Sequence, residues 1–214
     1  MSQPEIIRTE SHIGGLKIAI THVTPPVLSN DYPVLFLHGS SFPTALSFGF
    51  SMGNNSWMES LAGNGYDVYA LDFLGYGNSD RYPEMEMKSP NGKPVGRAIE
   101  VCRDVEKAVH LILQKTAKEK IYLIGHSWGG SVGALYASEF PDEIAALVLF
   151  ATITARNGPG SMENVESTYE ILTPAQRIQA MQSLTPAGKE CQLENNIFKT
   201  WGEVWLRSDP LCIK

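Results

Sequence analysis

The sequence predicts an α/β fold built on a mostly parallel sheet and followed by a helical segment. Three observations carry this. Short apolar runs at residues 33–37, 67–71, 121–125 and 145–151 alternate with helical stretches at 97–118 and 128–140. Strands alternating with helices imply parallel βαβ units. The run at 121–125 leads directly into Gly125-His126-Ser127-Trp128-Gly129 and then into a helix. After residue 152 the strand signals stop and helix starts take over.

Each element has a local reason. Residues 5–24 read as two strands about a turn at Gly14-Gly15, and Pro25-Pro26 ends them. Residues 33–37 are apolar throughout, as suits a strand buried on both faces. A loop rich in Ser, Gly and Asn follows, and Ser56-Trp57-Met58-Glu59 then matches a capping box that starts a helix running to about Gly63. The strand at 67–71 closes at Asp72-Phe73-Leu74-Gly75-Tyr76-Gly77-Asn78-Ser79-Asp80, and residues 81–96 read as loop. In the helix at 97–118, Ile99, Cys102, Val105, Val109 and Ile112 recur at steps of three and four, while Glu100, Arg103, Asp104, Glu106 and Lys107 read as a solvated face. The helix at 128–140 carries Gly129, Gly130, Gly133 and Ala134, which leave little side chain between it and the sheet.

Residues 153–214 read as all-helical. Thr173-Pro174-Ala175-Gln176 is a capped helix start, and Thr185-Pro186 looks like another. Residues 195–207 place Phe198, Trp201 and Trp205 on one side, either as core or as the wall of a pocket. Ser208-Asp209-Pro210 is one more helix start, so the chain is expected to stop as an element begins. The domain reading is a core at 1–152 and a helical cap segment at 153–214.

Composition narrows the functional classes. The chain has 214 residues, 43% of them hydrophobic and 19% charged, as in an ordinary globular domain with one sizeable core. A net charge of −6 with no evident basic face argues against nucleic-acid or anionic-membrane partners. Residues 1–10 lack the apolar stretch of a signal peptide, and no segment approaches the ~20 apolar residues of a membrane span. The three cysteines, Cys102, Cys191 and Cys212, fit no metal pattern. The expectation is a reduced, cytoplasmic protein with no metal or cofactor, and with Cys102 in the core.

The chemistry concentrates around Ser127. A strand, Gly-x-Ser-x-Gly and a helix in succession lift a serine onto a sharp turn as a nucleophile, at a helix N-terminus that favours developing negative charge. Side chains at Gly125 and Gly129 would crowd that turn. Acyl transfer also needs two N–H donors at the carbonyl oxygen. One is the backbone N–H of Trp128. The other belongs in the loop His38-Gly39-Ser40-Ser41, with Ser40 the first candidate and Ser41 the second. The remaining histidines do not read as the base. His38 suits a bracing role through its ring nitrogens, His126 should point away from the serine, and His110 pairs with Glu106 at helical spacing.

On His38-Gly39-Ser40-Ser41, on Asp72 to Ser79 and on Gly125 to Gly130, the sequence resembles the α/β-hydrolase superfamily, in the branch with a helical cap after the sixth strand. The resemblance covers residues ~5–152, and 153 onward looks like the start of the cap. It implies serine-hydrolase chemistry on a small ester-like molecule: esterase, lipase, amidase, peptidase or C–C bond hydrolase. It argues against dehalogenases and epoxide hydrolases, which use aspartate at the nucleophile position. It also implies that Asp72 organises its own glycine-rich turn, two strands from the serine and about 9–10 Å away at the sheet. A seventh strand with the triad acid and an eighth followed by the histidine are implied as well. Neither follows Ser127 here, and all five histidines precede it. A truncated or frameshifted serine hydrolase, inactive or weak as it stands, is therefore expected. The alternative is a non-catalytic remnant that binds a small molecule. The strand at 145–151 would be an uncovered apolar edge open to self-association.

Overall fold

The structure is a computed structural model describing residues 3–86, 92–154 and 167–208. Six strands form one sheet: β1 (Glu5–Glu10), β2 (Lys17–Val23), β3 (Val34–Leu37), β4 (Val68–Asp72), β5 (Ile121–His126) and β6 (Ile144–Phe150). Their order is β1-β2-β4-β3-β5-β6. β1 and β2 form an antiparallel hairpin, and β2 pairs antiparallel with β4. β4, β3, β5 and β6 run parallel, so their C-terminal ends lie on one edge of the sheet.

Alternation along the strands builds two apolar layers. Ile18, Ile20, Leu35, Leu37, Tyr69, Leu71, Ile121 and Leu123 share a core with α2 (Ala98–Thr116) and α3 (Trp128–Glu139). Val23, Val34, Phe36, Val68 and Ala70 meet Met58 and Ala62 of α1 (Trp57–Gly63) on the other side. The capping box of α1 is formed: Glu59 N–H donates to Ser56 Oγ at 3.1 Å, and Ser56 N–H donates to Glu59 Oε2 at 2.7 Å.

α2 departs from the sequence reading in three places. Its buried stripe is Val101, Cys102, Asp104, Val105, Ala108, Val109 and Ile112, while Ile99 is 58% exposed. Asp104 is not on the solvated face. It lies three residues after Val101 and four before Ala108, on the same stripe, and is 1% exposed. Its carboxylate accepts hydrogen bonds from Ser11 Oγ at 2.8 Å and His12 N–H at 2.7 Å, which tie the β1–β2 turn to the helix. His110 pairs with Glu143 at 3.1 Å rather than with Glu106, because the turn after α3 brings that carboxylate over the helix.

Past β6, α4 (Pro174–Ser183) and α5 (Asn195–Ser208) are helical, and α4 opens with the Thr173–Gln176 capping box. The segment is not all-helical. Residues 167–173 and 184–194 carry no helix. Thr185-Pro186 makes a turn closed by Lys189 N–H on Pro186 O at 3.1 Å, with Gly188 at φ 75° reversing the chain. Asp209 and Pro210, read as a helix start, and Cys212 lie outside the described residues.

Candidate functional site

Ser127 stands between the end of β5 and the first residue of α3, at φ 51° and ψ −117°. A non-glycine residue there is strained by about 1–3 kcal/mol and persists only where its surroundings hold it. Its backbone partners do so. The Ser127 N–H donates to Phe150 O of β6 at 2.9 Å, and its carbonyl accepts from the N–H groups of Gly130 at 3.0 Å, Ser131 at 3.3 Å and Ile153 at 3.5 Å. The flanking glycines allow the close packing this turn requires. A methyl on Gly125 would stand 2.6 Å from Gly129 O, and one on Gly129 would overlap the carbonyl oxygens of Leu37 and His38. α3 is thus pressed against the end of β3, which brings the loop after β3 beside the serine.

That loop begins at His38, which is fully buried. Phe73 N–H donates to His38 Nε2 at 3.1 Å. A backbone N–H can only donate, so the ring proton sits on Nδ1, which donates to Gly39 O at 2.6 Å. Burial holds this imidazole below its ordinary range, against the opposing pull of the Asp72 carboxylate. Both ring nitrogens are occupied, and the ring braces the loop against the turn after β4. Gly39 passes so near the Ser127 turn that a methyl on it would lie 3.1 Å from Ser127 Cβ.

Ser40 is exposed, and Ser41 has a positive φ of 79°. Ser40, Ser41 and Trp128 line one cavity. Among the described residues, the N–H groups of Ser40 and Trp128 have no acceptor within the chain. The Ser41 N–H instead faces the Tyr76 phenol oxygen, where it partly offsets the rise in pKa that burial imposes on that group.

Asp72 ends β4, two strands from β5. One carboxylate oxygen accepts from Thr44 N–H at 2.8 Å and the other from Asn78 N–H at 3.0 Å. The second bond closes the Gly75–Asn78 turn, and Gly77 leaves the carboxylate room to sit inside it. The first bond reaches the short helical turn Thr44–Leu46, a tie that local sequence spacing does not reveal.

Among the described residues, none hydrogen-bonds Ser127 Oγ. The His126 ring stacks on Phe150 at 5.3 Å, with its pKa lowered by burial. His12, His22 and His110 each pair with a carboxylate on another element. No group of three or more His, Cys, Asp or Glu side chains able to hold a metal occurs among the described residues. The Cys102 thiol, packed under α3, is pushed up to about 12 by burial and the adjacent Glu139.

The cavity beside Ser40, Ser41 and Trp128 measures about 780 Å³, within the range of small-molecule sites. Of the aromatic row on α5, Trp205 lines it. Trp201 is buried one turn away, its indole N–H donating to Leu46 O at 3.0 Å, and Phe198 packs on Trp201 at 5.9 Å. Part of the wall was not expected there: Phe73 and Leu74 of the Asp72–Asp80 turn, with Tyr82, Met85, Val95 and Leu172. The available signal was an apolar, aromatic stretch inside an otherwise loop-like segment, which needs something to pack against.

The sequence model of the alpha/beta hydrolase fold family matches residues 32–195. Abhydrolase domain-containing protein lid-1 of Caenorhabditis elegans is 29% identical over 68% of this chain and 34% of its own length. Bifunctional epoxide hydrolase 2 of Sus scrofa is 29% identical over 91% of this chain and 35% of its own length. The chain thus spans about a third of the length of these curated relatives. A probable hydrolytic enzyme from Pseudomonas aeruginosa PAO1 shares the fold with a TM-score of 0.65, at 20% identity, over 96% of this chain and 59% of its own. The match over most of the sequence, and the serine turn, sheet order and glycine contacts that accompany it, make this chain a member of the alpha/beta hydrolase fold family.

Proposed function

We propose that this chain carries the nucleophile of an acyl-transferring serine hydrolase acting on a small ester-like substrate. The observation that supports the reading is the strained backbone of Ser127, held between β6 and α3 by backbone hydrogen bonds. In the proposed reaction the Ser127 hydroxyl adds to the carbonyl carbon and passes its proton to water, the adduct expels the alkoxide, which is protonated to the alcohol, and water hydrolyses the acyl-serine ester. The oxyanion is received by the N–H groups of Trp128 and Ser40, with Ser41 the runner-up because its N–H faces Tyr76. His38, Gly39, Gly125 and Gly129 support this arrangement without touching substrate. The hydroxyl nucleophile also discriminates among relatives' chemistries. Opening an epoxide with a serine would leave an ether that water does not cleave, whereas acylation leaves a hydrolysable ester.

The 214-residue chain is proposed to turn over slowly, since His38 is committed through both nitrogens and His126 is stacked on Phe150. Loss of a triad base typically costs several powers of ten in rate, and the oxyanion donors sustain what remains. Hydrolysis of p-nitrophenyl acetate should be weak but above background, and Ser127→Ala should abolish the excess. Undiminished turnover in Ser127→Ala would sink the reading. A second reading is a small-molecule-binding protein of the same fold. It is favoured by the formed cavity lined by Ser40, Ser41 and Trp128, the last adjacent in sequence to Ser127, whose hydroxyl has no hydrogen bond among the described residues.

A further inference from the structure

Polar groups are unevenly placed around the cavity. The N–H groups of Ser40 and Trp128, beside the Ser127 turn, have no acceptor among the described residues. Elsewhere the wall offers a ligand little to bond. The Tyr76 phenol oxygen meets the Ser41 N–H, the Ser208 hydroxyl donates to Trp205 O at 3.0 Å, and the Tyr82 hydroxyl is buried out of reach. The charged residues of the wall are Arg97 and Glu170, of opposite sign and both exposed to solvent. Leu46, Phe73, Leu74, Met85, Val95 and Trp205 supply apolar surface. A volume of about 780 Å³ suits a drug-sized ligand, and an acetyl group would leave most of it empty.

We propose that the cavity holds a long, uncharged hydrocarbon arm of the ester, and that Met85 is a specificity-determining residue for that arm. This rests on the reading of Ser127 as an acyl-transfer nucleophile and adds the substrate class: an ester whose one polar group is the scissile carboxyl, with an apolar chain on its acyl or its alcohol side. Both sources present the same hydrocarbon to the wall. Met85 is placed to meet it. It stands on the short helical turn Pro83–Glu86 and packs against the core that contains Phe73 and Leu74. A methyl on Gly75 would stand 3.1 Å from its sulfur, so glycine there gives the thioether its seat in the wall. Methionine is unbranched and adapts its shape to an apolar partner. A charge carried into this wall would lose its hydration with no buried partner to replace it.

The test measures binding without turnover. In the Ser127→Ala chain, tryptophan fluorescence reads the affinity for methyl butanoate and octanoate, for butyl and octyl acetate, and for monomethyl octanedioate, the charged counterpart of methyl octanoate. Trp128 and Trp205 report from the cavity wall. In the acyl or the alcohol series, the longer arm should bind at least about 10-fold tighter than the shorter. The charged ester should bind at least about 3-fold more weakly than methyl octanoate. Adding Met85→Gln should weaken the longer arm at least about 3-fold more than the shorter, whereas Met85→Leu should hold both within about 2-fold. Should Met85→Gln fail to melt cooperatively, Val95→Thr in the same wall is read in its place. No gain with length in either series, a charged ester that binds as well as its parent, or a long-arm affinity indifferent to Met85→Gln (or to its replacement) overturns the proposal. If the Met85 effect holds while wild-type ester turnover is indifferent to Ser127→Ala, the acyl-transfer reading fails and the binding inference stands.

Discussion

Gly129 has no room for even one added carbon, because a methyl there would enter the space of two carbonyl oxygens at the end of β3. Backbone cannot yield as a flexible side chain can. Gly129→Ala should therefore destabilise the chain by about 1–3 kcal/mol or more in urea denaturation. It should also displace α3 from the loop carrying Ser40. A pH effect arises at His38. Its folded-state pKa is lowered by burial, whereas in the unfolded chain it is near 6.5. Below about pH 6.5 the unfolded chain takes up a proton that the folded chain refuses, so stability is lost as pH falls toward the folded-state value. Melting temperatures from pH 7.5 to 5 should fall, and His38→Gln should flatten part of that slope even if it lowers the starting value. A slope unchanged by the substitution would show that other groups carry the effect.

At the scale of elements, Asp104 joins the β1–β2 turn to α2 by hydrogen bonds that bridge the ends of the hairpin and a long helix. Hydrogen bonds to a charged group contribute about 1.5–3 kcal/mol, and removing the carboxylate also leaves the His12 N–H without its acceptor. Asp104→Ala should cost about 2–4 kcal/mol by chemical denaturation, and Ser11→Ala about 1 kcal/mol. The double variant should cost less than their sum, because both remove the same bond. Additive losses would mean that the hydroxyl and carboxylate act independently. The contact between α5 and the loop after β3 is of another kind. Trp201 and Trp205 pack with Leu46 and Phe42, so helical residues late in the chain form an apolar cluster over the segment that follows the candidate oxyanion loop.

For the whole molecule, the outer strand β6 is the exposed element of consequence. Val148, Leu149 and Phe150 are 51%, 46% and 49% exposed, and Trp57 lies against Phe150 at 5.7 Å. Consecutive strand residues point to opposite faces, so this end of β6 is about half exposed on both, and among the described residues no strand pairs with its outer edge. An apolar strand of this kind is a template for pairing with another chain. The 214-residue chain should elute from size-exclusion chromatography as a concentration-dependent mixture above monomer mass. Val148→Lys should shift it toward monomer, since a charge at an edge blocks that pairing. A monodisperse wild-type monomer across concentrations would dispose of the expectation. Among the described residues, no helix is long and apolar enough to cross a membrane.

By itself the sequence determined the strand and helix alternation, the Ser56 and Thr173 caps and the serine turn, because each depends on residues within about four positions of one another. The Gly-x-Ser-x-Gly spacing dictates a tight turn whatever lies around it, and apolar periodicity marks which strands are buried. Only the tertiary structure decided matters of long-range neighbourhood. It put Asp104 in the core, sent His110 to Glu143 and joined Asp72 to Thr44. It also separated Trp205, in the cavity wall, from Trp201, whose indole is used up by Leu46 O. Helical spacing assigns a residue to a face but does not say what that face meets. The cavity wall was the least legible part, because it is assembled from loops and helices brought together by sheet order.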